Sequence, residues 1–131
     1  MKIMCAWVLV VDDNVVNLKM AQYILSAENM RVSCVKSGME AIKFLRDNTP
    51  DCILLDIKMP LMDGIETLRK IRTMKSCASL PVILLTASAD KQVVLQGSEL
   101  GIDGYIIKPF DPYELRKRIE AALKHESFER K

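Results

Sequence analysis

Residues 52–56 read Cys-Ile-Leu-Leu-Asp, a run of four apolar residues that ends on a carboxylate. Similar apolar runs recur at 7–11, 81–85 and 105–107, with a weaker one at 32–35. They are almost continuously apolar and do not alternate with polar residues, which is typical of strands covered on both faces in a parallel sheet. The sequence therefore predicts five buried strands.

The stretches between these runs carry apolar residues at helical spacing, as at Leu18, Ala21 and Leu25. Each such helix can bury one face against the sheet. Gly101 stands where a glycine commonly ends a helix. The predicted N-caps of the helices are Asn14, Ser37, Asp63, Asp90 and Asp111. Five such units with right-handed crossovers predict a single α/β domain with an open doubly wound sheet, whose site lies at the carboxyl ends of the strands.

The composition excludes several classes of protein. The chain has 131 residues, 50% of them hydrophobic, which suits one domain with its own core. Its net charge is only +2, so neither nucleic acid nor a membrane is expected as a direct partner. The four cysteines form no CxxC pair, and the chain has only one histidine that could join them as a metal ligand. This argues against a zinc site and favours reduced thiols. No apolar run approaches the roughly 20 residues needed to cross a bilayer, so a cytoplasmic location is expected.

Five polar residues stand at the carboxyl ends of the predicted strands. Asp12 and Asp13 follow the first strand, Asp56 ends the third, Thr86 follows the fourth and Lys108 follows the fifth. We expect them to meet at one rim of the sheet. Three carboxylates crowded together repel one another by about 4 kcal/mol per pair at ~4 Å and an effective dielectric of ~20, and a divalent cation relieves this repulsion.

These residue types favour phosphoryl transfer assisted by a metal. Oxygen ligands without a nearby imidazole or thiolate select a hard cation, which predicts Mg²⁺, with Mn²⁺ as a substitute. When two acids hold the metal, the third carboxylate can attack a phosphoryl group while the metal and a lysine neutralise the transferring oxygens. Asp56, Lys108 and Thr86 suit these catalytic roles.

Four segments carry a resemblance to a known family: VLVVDDN at 8–14, LLDIKMPLMDG at 54–64, LLTAS at 84–88 and IIKPF at 106–110. In this order and spacing they resemble the receiver domain of response regulators in two-component signalling, over residues 6 to about 124. The resemblance implies a flavodoxin-like fold, with five helices around a five-stranded parallel sheet of order 2-1-3-4-5. It implies a receiver domain at 5–125, followed by a polar tail at 126–131 that is a frayed end, a linker or an expression remnant.

The same resemblance assigns roles at the rim. It implies that Asp56 is the phosphorylated residue and that the domain catalyses only its own phosphorylation and dephosphorylation. Asp12, Asp13 and Asp56 would bind Mg²⁺, together with the backbone carbonyl of Lys58. The implied phosphoryl donor is a sensor histidine kinase or a histidine phosphotransfer protein.

The resemblance also implies a switch. Lys108 would bridge to the phosphoryl group, and its bond to Pro109 would be a cis peptide. Thr86 would donate its hydroxyl to a phosphoryl oxygen and move inward, and Tyr105 would follow it. The outer face of the fourth helix, fifth strand and fifth helix would then change and bind a second copy of the chain or an effector protein. At least one of the apolar residues 93–95 is expected to face outward there.

Two further positions are expected to set the lifetime of the phosphoryl group. Lys58 and Ser88 stand two residues after Asp56 and Thr86, where the family varies widely. Lys58 brings a flexible ammonium near the phosphoryl group. We expect slower self-dephosphorylation than with asparagine at position 58.

Three other functions share part of this chemistry. A phosphohydrolase of the haloacid-dehalogenase type also uses an Asp nucleophile and magnesium, but resembling that family requires a second Asp where Lys58 stands. A flavin carrier would need a hydroxyl-rich phosphate loop after the first strand, whereas Asp12, Asp13 and Asn14 would repel a phosphate. The third alternative is a receiver cut from a hybrid histidine kinase or from a DNA-binding response regulator, and fold analogy does not decide between it and a stand-alone regulator that acts by protein contact.

Overall fold

Strands and helices alternate along the chain in the computed structural model, which describes residues 6–87 and 91–129, with side chains through 124. The strands are β1 (Trp7–Val11), β2 (Arg31–Val35), β3 (Cys52–Asp56), β4 (Val82–Thr86) and β5 (Gly104–Ile107). The helices are α1 (Val15–Ser26), α2 (Gly38–Asp47), α3 (Gly64–Thr73), α4 (Lys91–Leu100) and α5 (Pro112–Glu129), with a 3-10 turn at Lys75–Cys77. Every strand boundary lies within one residue of its predicted place.

The sheet is parallel, and its order is β2-β1-β3-β4-β5 within the described ranges. This confirms the doubly wound fold and the strand order that the resemblance implies. The register pairs Val11 with Leu55, and Asp56 with Leu85. Because the strands are parallel and aligned in this way, their carboxyl ends share one edge. That edge carries the predicted polar residues.

The core forms two apolar layers, one on each face of the sheet. Val8 and Val10 of β1 pack in the layer beneath α1 and α5, whereas Leu9 and Val11 pack in the layer beneath α2 and α3. All four side chains are fully buried. Burial of a valine or leucine stabilises the fold by roughly 1.5–3 kcal/mol. Helices on both faces are therefore the reason that the strand sequences are continuously apolar.

Local capping fixes where the helices begin and end. Side-chain oxygens accept N–H groups of the first turn at four predicted N-caps: Asn14, Ser37, Asp63 and Asp111. The fifth predicted cap, Asp90, lies outside the described residues. Gly101 follows α4 with φ +96, a conformation that glycine adopts without strain.

Helix α4 is held to the sheet by very little buried surface. Among its residues, all of which the structure describes, only Gly97 is buried. A Cβ at this position would lie 2.7 Å from Leu84 Cδ1, so glycine is what allows α4 to approach β4. Leu95 is 61% exposed, which confirms that at least one residue of 93–95 faces outward.

Helix α5 is longer than its apolar spacing predicts. The last predicted core position was Leu123, but the helix continues through Glu129. Residues 126–129 of the predicted tail are thus helical. No described helix is both long and apolar enough to span a membrane. Three of the four cysteines are described, Cys34, Cys52 and Cys77, and all three are free thiols.

Candidate functional site

Three carboxylates meet where β1 and β3 end. Asp12 is fully buried, Asp56 is 4% exposed, and Asp13 is exposed to solvent. One carboxylate oxygen of each lies within 4.8 Å of the others. The three acids approach so closely because β1 and β3 are neighbours in the sheet and end at the same level. The arrangement offers oxygen atoms, the donors that a hard divalent cation prefers.

Lys108 supplies a positive charge from the end of β5. Its Nζ donates a hydrogen bond to Asp56 Oδ1 at 2.9 Å and lies 3.0 Å from Asp12 Oδ2. Its backbone N–H donates to the carbonyl of Thr86 at 2.8 Å, which fixes the chain beside the end of β4. The peptide bond between Lys108 and Pro109 is cis, as the resemblance implied.

The two oxygens of Asp12 have different surroundings. Oδ1 accepts a hydrogen bond from the backbone N–H of Asn14 at 2.9 Å. Oδ2 is buried and faces Lys108 Nζ as an ion pair, but it makes no hydrogen bond of good geometry to any residue that the structure describes. A buried carboxylate oxygen without a hydrogen bond is unfavourable. A cation in the cleft would satisfy it, so the residues present fit a metal ion.

The pKa shifts of Asp56 and Lys108 also indicate that the cluster fits a metal ion. Burial is the main reason that the pKa of Asp56 is raised to about 6; the charge of Asp12 adds to the effect, and Lys108 opposes it. Burial lowers the pKa of Lys108, but the hydrogen bond to Asp56 and the negative charges of Asp56 and Asp12 outweigh burial and raise it. The charged form of Lys108 is therefore favoured. The charged form of Asp56 is disfavoured, and additional positive charge in the cleft would stabilise it.

The carboxylates open into a cleft of about 150 Å³. Pockets for drug-sized ligands and cofactors are usually ~300–1,000 Å³, so this cleft suits an ion and a small transferable group better than a flavin or a nucleotide. Besides the cluster itself, the described side chains along its walls are Asn14, Asn17, Ile57, Lys58, Thr86 and Ala87.

The predicted switch residues lie on neighbouring strands. Thr86 is buried at the end of β4, and Tyr105 is half-buried on β5, where its register partner is Leu84. Because side chains alternate between faces along a strand, Thr86 and Tyr105 share one face of the sheet. Lys58 is exposed at the cleft, and Ser88 lies outside the described residues. The structure thus brings Asp12, Asp13, Asp56, Thr86 and Lys108 together, as predicted.

Sequence reasoning missed Asn17. It lies in the first turn of α1, and its half-buried side chain lines the cleft. Residues three apart on a helix lie on the same side, so the position of the Asn14 cap beside the acids could have revealed Asn17 as well.

Comparisons with known proteins agree with this geometry. The family model of the response regulator receiver domain matches residues 8–120. The chain is 37% identical over 117 residues to the DNA-binding response regulator MtrA of Mycolicibacterium paratuberculosis, covering 89% of this chain and 51% of that protein. It is 40% identical over 120 residues to the transcriptional regulatory protein ResD of Bacillus subtilis, covering 92% and 49%. The chain spans about half the length of these curated relatives.

Solved structures give the same result. The chemotaxis protein CheY4 of Vibrio cholerae superposes with a TM-score of 0.87 at 28% identity, covering 91% of this chain and 99% of that one. The receiver domain of the sensor histidine kinase PA1611 from Pseudomonas aeruginosa, which has a magnesium ion coordinated in its active site cleft, superposes with a TM-score of 0.84 at 29% identity. That superposition covers 92% and 98% of the two chains. The chain therefore belongs to the response regulator receiver domain family, a family of signalling domains.

Proposed function

We propose that this receiver domain takes a phosphoryl group from a phosphohistidine onto Asp56, in a reaction that requires Mg²⁺ and takes place in the cytoplasm. The observation that carries the proposal is the Asp56 carboxylate, buried at the end of β3 and hydrogen-bonded by Lys108 at 2.9 Å. An oxygen of Asp56 forms a bond to phosphorus, the bond from phosphorus to the donor's imidazole nitrogen breaks, and the imidazole leaves with the electron pair. The domain catalyses only its own phosphorylation and dephosphorylation.

Asp12, Asp13, Asp56 and the backbone carbonyl of Lys58 would hold Mg²⁺, with Mn²⁺ as a substitute. The buried Oδ2 of Asp12, which lacks a hydrogen bond from any described residue, and the spacing of the three acids within 4.8 Å support this ligand set. The ion supplies charge stabilisation for the phosphoryl oxygens. The chain's own part is to hold oxygen donors in a cleft too small for a larger ligand.

Lys108 and Thr86 act on the transferred group. Lys108 already hydrogen-bonds the Asp56 oxygen at 2.9 Å, so its ammonium is within reach of a phosphoryl group bonded to that carboxylate. Phosphorylation adds about −1.5 to −2 charge, which draws the Thr86 hydroxyl inward and lets Tyr105 follow. Moving such a switch from 1:99 to 99:1 requires about 5.5 kcal/mol, a plausible total for a few charge-assisted bonds.

The face formed by α4, β5 and α5 is the proposed output surface. Each of the three elements has a large apolar side chain that is exposed among the described residues: Leu95 (61%), Ile107 (43%) and Tyr113 (59%). We propose that it binds a second copy of the chain or an effector protein after phosphorylation. Sedimentation with and without a phosphoryl mimic tests this, and unchanged mass together with unchanged partner binding would count against it.

The relatives illustrate two kinds of longer protein in which such a domain, with proposed limits 5–125, occurs. MtrA and ResD are named as a DNA-binding and a transcriptional regulator, and this chain covers about half of each. PA1611 is a sensor histidine kinase with its own receiver domain. The regulators support a receiver that belongs to a DNA-binding regulator, and the kinase supports one that belongs to a hybrid histidine kinase. In either case a further domain would make any contact with nucleic acid. The full coding sequence separates these forms from a stand-alone regulator, since it would encode a helix-turn-helix module, a kinase module or neither.

Lys58 is the proposed determinant of phosphoryl lifetime, because its exposed side chain lines the cleft. Asparagine at this position removes the ammonium that can shield the phosphoryl group from water. We expect Lys58→Asn to lose its phosphoryl group several-fold faster than the parent. The measurement is the decay of the phosphorylated protein by mass spectrometry, with Lys43→Asn on the exposed side of α2 as the control. Equal lifetimes would remove this role from Lys58.

Acetyl phosphate and Mg²⁺ provide the direct test of the proposed function. The intact protein is expected to gain one phosphoryl group by mass, and Asp56→Ala is expected to gain none. The matched control is Asp47→Ala, which removes an exposed carboxylate at the end of α2 and leaves the cleft unchanged. An adduct that persists in Asp56→Ala would defeat the assignment.

A further inference from the structure

Helix α1 begins directly beside the acidic cluster, and one residue joins the two. The side-chain oxygen of Asn14 accepts hydrogen bonds from the backbone N–H groups of Val16 at 2.9 Å and Asn17 at 3.2 Å, and so caps the helix. The backbone N–H of the same residue donates to Asp12 Oδ1 at 2.9 Å. Asn14 is therefore tied to the helix through its side chain and to the acid through its backbone.

The second of these bonds decides how the Asp12 carboxylate is turned. The terminal torsion of an aspartate is soft and roughly two-fold, so it takes the orientation that its hydrogen bonds select. Because Oδ1 accepts the hydrogen bond from Asn14, Oδ2 is directed toward Lys108 Nζ, which lies 3.0 Å away. Oδ2 is also the oxygen that makes no hydrogen bond to a described residue.

Asn14 makes its bond to Asp12 in the conformation in which it caps the helix. In the cap conformation its backbone is extended, with φ −93 and ψ 113, and its N–H points back at Asp12 while its side chain reaches forward to the helix. Loss of the side-chain oxygen leaves the first helical N–H groups unsatisfied and frees this backbone to shift.

We propose that Asn14 is a positioning residue for the metal site: its cap on α1 fixes the N–H that holds Asp12, so that Asp12 Oδ2 is presented to Mg²⁺. The inference rests on the proposed function, because it takes Asp12 as a ligand. Groups that orient metal ligands through hydrogen bonds commonly matter to affinity by 10–100-fold.

A second N-cap in the chain supplies a matched control. Ser37 Oγ accepts from the backbone N–H of Glu40 at 3.1 Å and caps α2 at the same end of the sheet. None of the hydrogen bonds given by the described residues joins Ser37 to the acidic cluster. Removing either cap weakens a helix start, but only Asn14 touches a carboxylate of the site.

The experiment compares Asn14→Ala, Asn14→Ser and Ser37→Ala in the intact chain. Mg²⁺ affinity is measured by calorimetric titration without any phosphoryl donor, and thermal midpoints are measured separately. We expect similar losses of thermal stability in the two alanine variants, about 10-fold weaker Mg²⁺ binding in Asn14→Ala alone, and recovery in Asn14→Ser, whose hydroxyl can cap. If Asn14→Ala does not fold, Asn14→Gly removes the same side chain with a smaller loss of helix stability, and weaker Mg²⁺ binding is expected there too.

Equal Mg²⁺ affinity in the parent, Asn14→Ala and Ser37→Ala would overturn the inference, as would a parent protein that binds no Mg²⁺. Weakening that Asn14→Ser does not reverse would also overturn it, since a cap would then not be what matters. The proposed function fails separately: a protein that binds Mg²⁺ through an Asn14-dependent site and yet gains no phosphoryl group refutes phosphorylation and leaves the role of Asn14 standing.

Discussion

The centre of the sheet and its outer edge, formed by β5 and α4, are packed very differently. All of β3 is buried, up to and including Asp56, and α3 buries residues along most of its length. On the other side only Ile106 of β5 is buried, and α4 buries only Gly97, both elements being fully described. The carboxylates stand on the tightly packed strands, whereas Tyr105 and the proposed output surface belong to the loosely packed side.

This difference separates two tasks that one domain must perform. Phosphoryl transfer needs carboxylates held in fixed positions, and strands buried on both faces hold them. A signal needs an element that can change position at small energetic cost, and elements with few buried contacts are the ones that move most easily. Four substitutions, at Leu54, Leu95, Lys108 and Gly97, test how the two sides differ in packing and how they are linked.

The largest effect is expected in the centre. Leu54 is fully buried in the layer beneath α1 and α5, and truncation there leaves a cavity. We expect Leu54→Ala to lower the free energy of unfolding by about 2–5 kcal/mol. Leu95→Ala on α4, where the side chain is 61% exposed, should change it by less than about 0.5 kcal/mol. Urea denaturation measures both, and comparable losses would show that the two sides do not differ.

Lys108 links the two sides, because it stands after β5 and hydrogen-bonds Asp56 on β3. Methionine has a similar length but no charge, so Lys108→Met removes the ammonium and keeps most of the packing. We expect phosphorylation by acetyl phosphate to slow by about 10²–10³-fold, the usual cost of one lost charge-stabilising donor. Lys117→Met, on the exposed side of α5, is the control and should react like the parent. A rate within a few-fold of the parent would mean that Lys108 is only a structural counter-ion.

The smallest effect is expected at the contact between α4 and β4. A Cβ at Gly97 would lie 2.7 Å from Leu84 Cδ1 and 3.2 Å from Ile102 Cδ1, so Gly97→Ala forces α4 outward. Overpacking costs about 1–3 kcal/mol, and the better helix propensity of alanine returns about 1 kcal/mol. We expect a net loss of about 1 kcal/mol and faster hydrogen exchange in α4. Ser98→Ala, at the exposed neighbouring position, is the control and should show neither change.

Much of the fold could be predicted because its signals are local. Continuous apolar runs marked the strands to within one residue, since helices cover both faces of the sheet. Asn14, Ser37, Asp63 and Asp111 cap helices through bonds to residues two or three positions away, which a sequence displays directly. The strand order came from the resemblance, because which strands become neighbours is decided by tertiary packing.

Other features had no local signal. Beyond Leu123 the helix has one large apolar residue, Phe128, and it does not continue the earlier apolar spacing, so that spacing could not predict that the helix reaches Glu129. We could predict that Asp12, Asp56 and Lys108 meet, because the carboxyl ends of parallel strands share one edge of the sheet. We could not predict that the two oxygens of Asp12 have different partners. The setting of Oδ2 depends on Lys108, a residue that is distant in the sequence and is brought to Asp12 by the fold.

The ion pairs of Lys108 with Asp12 and Asp56 have a consequence for the life of the protein in the cell. Part of the negative charge at the rim is balanced by the chain itself, so we expect the newly made domain to fold without a bound metal ion. Magnesium supply would then govern whether the domain reacts, and not how much of it exists. A fall in free magnesium would silence the signal at once and reversibly, while the protein itself stayed ready.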